Sequence, residues 1–113
     1  MADELFELKN RVMKVNLKKK IVGSDGKPMT VKDKEQFICD HVCQVLWQME
    51  DIEGNAATGE QKYRAYKLMQ RIAANPTEVE MESEDVTLVK NVALKCFRAG
   101  VYGQIVDAIE QRN

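Results

Sequence analysis

The stretch Phe37-Ile-Cys-Asp-His-Val-Cys-Gln-Val-Leu-Trp-Gln-Met49 decides the fold class. Ile38, Val42, Val45 and Met49, followed by Ile52, recur at steps of four, three, four and three. That rhythm places them on one side of a helix, whereas a strand would need period two. The spacing predicts a helix over about 32–50. Thr30 is the expected N-cap, and Asp33 lies near the first free amides.

Downstream, Asp51 to Thr58 reads as a connecting loop. Thr58-Gly-Glu-Gln61 matches a capping box, which predicts a second helix over about 59–74. Ala65, Met69 and Ile72 line its apolar edge, widened by Tyr66 and Ala73. Asn75-Pro76 ends it, because proline pushes the preceding residue off the helical region. Thr77 to Met81 is expected to be extended, a lone strand. Ser83 is the expected cap of a third helix with Glu84 and Asp85 in its first turn. Its apolar face runs through Val86, Val89, Val92, Ala93, Cys96 and Phe97. Gly100 is placed as its left-handed C-cap. Val101, Ile105, Val106 and Ile109 then predict a short fourth helix to about 111.

Upstream, Met13, Val15 and Leu17 alternate with polar residues, which suggests a strand. Asp25-Gly26 between two short apolar pieces is a hairpin-turn signal, and Pro28 favours an edge position. The expected architecture is mainly α: a bundle of about four helices over 32–113, with a β-hairpin element at 11–31. An α+β arrangement is the alternative. Residues 1–10, with Leu5, Phe6 and Leu8 among acids, read as a helical turn or as an arm that docks on a partner.

The 113 residues are 44% hydrophobic and 31% charged, with two prolines and six glycines. This is the composition of one ordinary globular domain, not of a disordered or collagen-like chain. No run approaches the roughly 20 apolar residues of a membrane-spanning helix. The sequence opens acidic, unlike a secretory signal. Three cysteines, an odd and low count, fit reduced thiols. The expected compartment is the cytoplasm, with no membrane partner.

The net charge of −1 conceals segregated blocks. Residues 9–34 carry nine basic residues against two acids, a net +7, including Lys14, Lys18, Lys19 and Lys20. Residues 35–61 carry six acids and no lysine or arginine, among them Glu50, Asp51 and Glu53. Residues 1–8 carry −3. One functional reading has the basic segment track nucleic-acid phosphates, which releases counterions. A second has the two blocks meet across subunits, with charge steering the association. A third is purely structural: lysines protect edge strands and acids solvate a helix face. No Trp, Tyr or Phe interleaves the basic segment, which counts against stacking on unpaired bases.

Catalytic constellations are not assembled by the sequence. Cys39 and Cys43 share a helix face, but His41 lies about 200° round from Cys39. With Cys96 a tetrahedral metal site still lacks a fourth ligand, and cysteine packs well as a small buried hydrophobe. Ser24 and Ser83 have turn and cap roles, and the glycines match no phosphate-binding loop. The expectation is a protein that is no enzyme and holds no metal or cofactor. Trp47, Tyr63, Tyr66 and Tyr102 are candidates for contact surfaces, since aromatics anchor interfaces. For Trp47 packing within the helical seams is the favoured alternative. In Gly100-Val-Tyr-Gly-Gln104, Tyr102 and Gln104 are candidate contact residues beside a helix junction, with packing the favoured alternative.

Asp25-Gly-Lys-Pro-Met-Thr-Val31, Gly59-Glu-Gln-Lys-Tyr-Arg-Ala-Tyr-Lys-Leu-Met69, Glu84-Asp-Val-Thr-Leu-Val-Lys90 and Tyr102-Gly-Gln-Ile-Val106 follow one another in the chain. In that order they resemble small accessory proteins of tailed bacteriophages and prophages, across residues 10–110. The resemblance implies a viral protein working through protein contacts, in virion assembly or as a stoichiometric binder of a host protein, often as an oligomer. Its implied partner is a second copy or a larger viral or host protein. A nucleic-acid-binding regulator using residues 9–34 is the alternative.

Overall fold

A computed structural model describes residues 12–111; the expected arm at 1–10 lies outside them. In chain order the elements are β1 (Met13–Val15), β2 (Thr30–Val31), β3 (Lys34–Glu35), α1 (Ile38–Trp47), β4 (Asp51–Ile52) and β5 (Asn55–Ala56). They are followed by α2 (Gly59–Ala74), β6 (Val79–Met81), α3 (Ser83–Cys96) and α4 (Ala99–Ile109). The fold is mainly helical, with a short N-terminal strand paired to a later one.

The first helix begins six residues later than its expected start. Lys32 and Asp33 both take positive φ, 52° and 65°, and form a two-residue turn. The turn pairs Thr30 with Glu35 and Val31 with Lys34, so Thr30 is a strand residue and no cap. Phe37 is the N-cap, and no side chain caps the helix there. Instead, the amides of Ile38 and Cys39 donate to the carbonyls of Lys19 (2.9 Å) and Leu17 (2.8 Å). Free donors at a helix start must be satisfied by something, and here the preceding chain does it. Asp25-Gly26 does form the expected turn, with Gly26 at φ 77° and Val22 bridged to Pro28. A third stretch joins this pair: Met29 donates to Ile21, Gln36 to Met29 and Ile21 to Gln36, at 2.7–3.0 Å.

α2 matches its expected span, and its capping box forms: Gln61 N donates to Thr58 Oγ1 (3.1 Å) and Thr58 N to Gln61 Oε1 (2.8 Å). Its buried stripe is Ala65, Leu68 and Ile72, while Tyr66 and Ala73 are exposed. The expected loop at 51–58 contains a small hairpin, β4–β5, turned at Glu53 and Gly54 with φ 51° and 81°. Asn75 caps α2 at its C-terminal end. β6 is not a lone strand. It runs antiparallel to β1, Met13 opposite Met81 and Val15 opposite Val79. At the central pair, Lys14 O accepts from Gln111 Nε2 (2.9 Å) and Glu80 O from Arg71 Nη1 (3.0 Å). Occupied carbonyls make the edges of this two-stranded sheet poorer templates for a further strand.

The cap of α3 is Glu82, one residue before the expected Ser83. The helix ends at Cys96, where Phe97 turns extended; Cys96 itself is exposed. Gly100 is not a C-cap. It lies in the first turn of α4, whose N-cap is Arg98. One core joins all layers: Val15 and Leu17, Val42 and Leu46, Leu68 and Ile72, Val79 and Met81, Val89 and Val92, Ile105 and Ile109. No helix among the described residues is long and apolar enough to cross a membrane.

Candidate interaction surfaces

Three places gather exposed aromatic, basic or paired charged side chains. The first is a groove between the end of α1 and the outer flank of α2. On α1 the buried stripe is Ile38, Cys39, Val42 and Leu46. Trp47 is one residue past Leu46 and so rotated about 100° away from the core. Its side chain is 70% exposed, which overturns the expectation that it fills a helical seam. Lys62, Tyr66 and Met69 face it from α2, and with Leu46 and Met49 they enclose about 260 Å³. Tyr66 is 45% exposed. Its hydroxyl accepts from Gln70 Nε2 (3.0 Å), which fixes the ring. Tyr63 lies beside it, ring centroids 6.3 Å apart, with Lys67 Nζ 5.5 Å above the Tyr63 ring. Such cation–π contacts hold a lysine over an aromatic face at modest energy.

The second is the lysine-bearing segment. Lys14, Lys18, Lys19 and Lys20 are all exposed. Lys20 pairs with Glu35 at 2.8 Å. The acidic candidates are divided. Glu50 is exposed, but Asp51 is ion-paired with Lys95 of α3, and Glu53 accepts from Asn91 Nδ2 (3.1 Å). So part of the acidic block is used within the fold, fastening β4–β5 to α3. Gln104 is used likewise. Its amide brackets Val22, accepting from Val22 N (2.8 Å) and donating to Val22 O (2.9 Å), so it clips the basic meander to α4. Tyr102 is half-buried against the core.

The third was not signalled by any single residue. Asp85 is 0% exposed. It accepts from Arg64 Nη1 (3.0 Å), Arg71 Nη2 (3.2 Å) and the Glu82 amide (2.9 Å). Arg64 also reaches Glu84 at 2.8 Å. The sequence signal was available: Arg64 and Arg71 are seven apart, hence on one flank of α2. Their buried acceptor depends on how α3 docks, which local pattern does not specify.

The thiols differ sharply. Burial pushes Cys43 up to about 11 and raises Cys39 as well. Both therefore stay neutral near pH 7, where a thiolate is needed for nucleophilic attack or metal ligation. Cys96 is exposed. His41 Nε2 lies 3.0 Å from Gln36 Oε1, and its ring meets Phe97 edge-on at 6.4 Å. Among the described residues no three His, Cys, Asp or Glu side chains come together as a metal site. Labelling with a thiol reagent at pH 8 is expected to modify Cys96 first, with Cys39 and Cys43 reacting only as the protein opens. Between about pH 9 and 11 the native state keeps a Cys43 proton that the unfolded chain releases. Stability is therefore expected to fall as pH rises through that window, which urea melts at pH 8 and 10.5 would measure.

Comparison with protein-family models, with curated proteins and with solved structures finds no match.

Proposed function

We propose that the chain is a non-enzymatic protein-interaction module, a phage accessory factor acting in particle assembly or as a stoichiometric binder of a host protein. The observation that carries the interaction reading is the groove of Trp47, Met49, Tyr66 and Met69. Tryptophan and tyrosine are the residues that most often anchor interfaces, and methionine adapts to varied surfaces. The phage assignment rests on the sequence resemblance over residues 10–110. A cytoplasmic setting accords with three unpaired cysteines.

Lys62 within the groove and Lys67 beyond Tyr63 call for an apolar segment that also carries carboxylates. The chain's own Asp3-Glu-Leu-Phe-Glu-Leu8 has that composition. A second copy is accordingly the occupant, giving a self-associating protein. Trp47 is the single tryptophan and reports directly on the groove. Its emission is expected to lie to the blue in concentrated solution and move red on dilution, together with a fall in mass by light scattering. The double change Phe6→Ala with Leu8→Ala should leave the emission red throughout. Tyr66→Ala should move the dilution midpoint about thirtyfold, the roughly 2 kcal/mol of an aromatic anchor. A monomer whose emission ignores dilution and both substitutions would sink the self-docking reading.

A further inference from the structure

Folding removes the balance between the charge blocks. Part of the acidic block is engaged by Lys95 and Asn91. The seven lysines between residues 14 and 34 are all exposed, and among the described residues only Lys20 meets a carboxylate. Against them stand Asp25, Asp33 and Glu35, a net of +4 over residues 14–35. Asp25 is already tied to the Lys27 amide at 3.0 Å. Most of these lysines ride on the meander closed by the Ile21, Met29 and Gln36 hydrogen bonds and held to α4 by Gln104. The backbone that carries these lysines is thus fixed by the fold. At its other side Lys14 and Lys19 frame a depression of about 340 Å³ together with Asn16, Thr77 and Gln111. Glu78 stands at the same depression.

Composition decides what this face fits. Protein interfaces are depleted in lysine and enriched in arginine and aromatics. Residues 14–35 have the reverse: seven lysines, no arginine, no Trp, Tyr or Phe. Lysine serves phosphates as a mobile point charge. Unpaired bases require stacking partners, which this face lacks. We propose that the lysine face of residues 14–34 binds the phosphate backbone of double-stranded nucleic acid without reading its sequence. This surface is separate from the Trp47 groove and does not depend on what fills it.

The test is fluorescence anisotropy of a labelled 20-bp DNA duplex titrated with the full chain. Non-specific binding of this kind has a Kd on the order of 10⁻⁵ M at physiological salt. Engagement of four to five phosphates gives a log–log salt slope of about −4, or roughly a 10²-fold loss between 50 and 200 mM salt. Lys14→Gln, Lys18→Gln and Lys19→Gln together should flatten that slope by two to three and weaken binding at least about tenfold at low salt. All three side chains are exposed, so an unchanged melting temperature establishes that the triple variant is folded. Absence of duplex binding at 50 mM salt would overturn the proposal, as would full binding by the folded triple variant. Tighter binding to a single-stranded oligonucleotide, to polyglutamate or to phosphatidylserine vesicles than to the duplex would overturn it too.

Discussion

Replacing Asp85 with alanine is expected to destabilise the fold by about 3 kcal/mol, the loss of two charge-assisted hydrogen bonds and of the acceptor for a cap amide. Asp85 is wholly buried and is the common acceptor for Arg64, Arg71 and the first amide of the α3 cap. Its removal takes a charged acceptor from Arg64 and Arg71, which keep Glu84 and the Glu80 carbonyl, and leaves the Glu82 amide without its partner. For a domain of this size such a loss lowers the melting temperature by at least about 12 °C. Asp85→Asn retains the shape and one acceptor oxygen and should cost less than Asp85→Ala. Arg71→Ala should also cost less, since Arg64 remains and Arg71 is partly exposed. Thermal melts of the three variants check the order. An Asp85→Ala melt within 2 °C of the parent would show that water replaces the cluster at little cost.

Leu17→Ala is the second large effect. Leu17 is fully buried where β1 runs into the core. Truncating a buried leucine costs about 2–5 kcal/mol, depending on how far the cavity collapses. The backbone makes this site special, because Leu17 O accepts from Cys39 N and Leu17 N donates to Pro76 O, both at 2.8 Å. Loosening Leu17 therefore loosens the start of α1 and the exit of α2 together. Hydrogen exchange at the Cys39 amide should accelerate with the global loss of stability. Leu94→Ala is the matching control: Leu94 is exposed and its truncation should stay within about 0.5 kcal/mol.

The elements that were legible in sequence are those specified by neighbouring residues. Thr58 and Gln61 contain the whole capping box of α2, Asn75-Pro76 its end, and Asp25-Gly26 a turn. Lys32-Asp33 carries no turn signal, since neither residue is glycine, yet both take positive φ. Long-range pairing replaced the first turns of the helix expected from residue 32. The partnership of β1 with β6 was likewise invisible, since strand registers between distant segments leave no local trace. At the surfaces, the lysine segment could be counted directly from the chain. The exposure of Trp47 could not, because one residue of helical phase separates a core position from an outward one. Asp85 looked like an ordinary first-turn acid. Only the packing of α3 against α2 gives it two arginines.

Among the described elements β1 is made first, yet the segment it opens finds partners in the last ones. Met13 pairs with Met81, Val22 is clipped by Gln104, and Lys14 is capped by Gln111. During synthesis, at roughly 5–20 residues per second, residues 13–22 leave the ribosome seconds before those partners exist. Their buried apolar groups, Val15, Leu17 and Ile21, have no complete core to enter until the last helix has emerged. Closure of contacts this distant is slow compared with helix formation. The nascent chain is therefore most exposed to holding factors and proteases before α4 has emerged, and truncation of α4 should affect the yield of folded protein more than its length suggests.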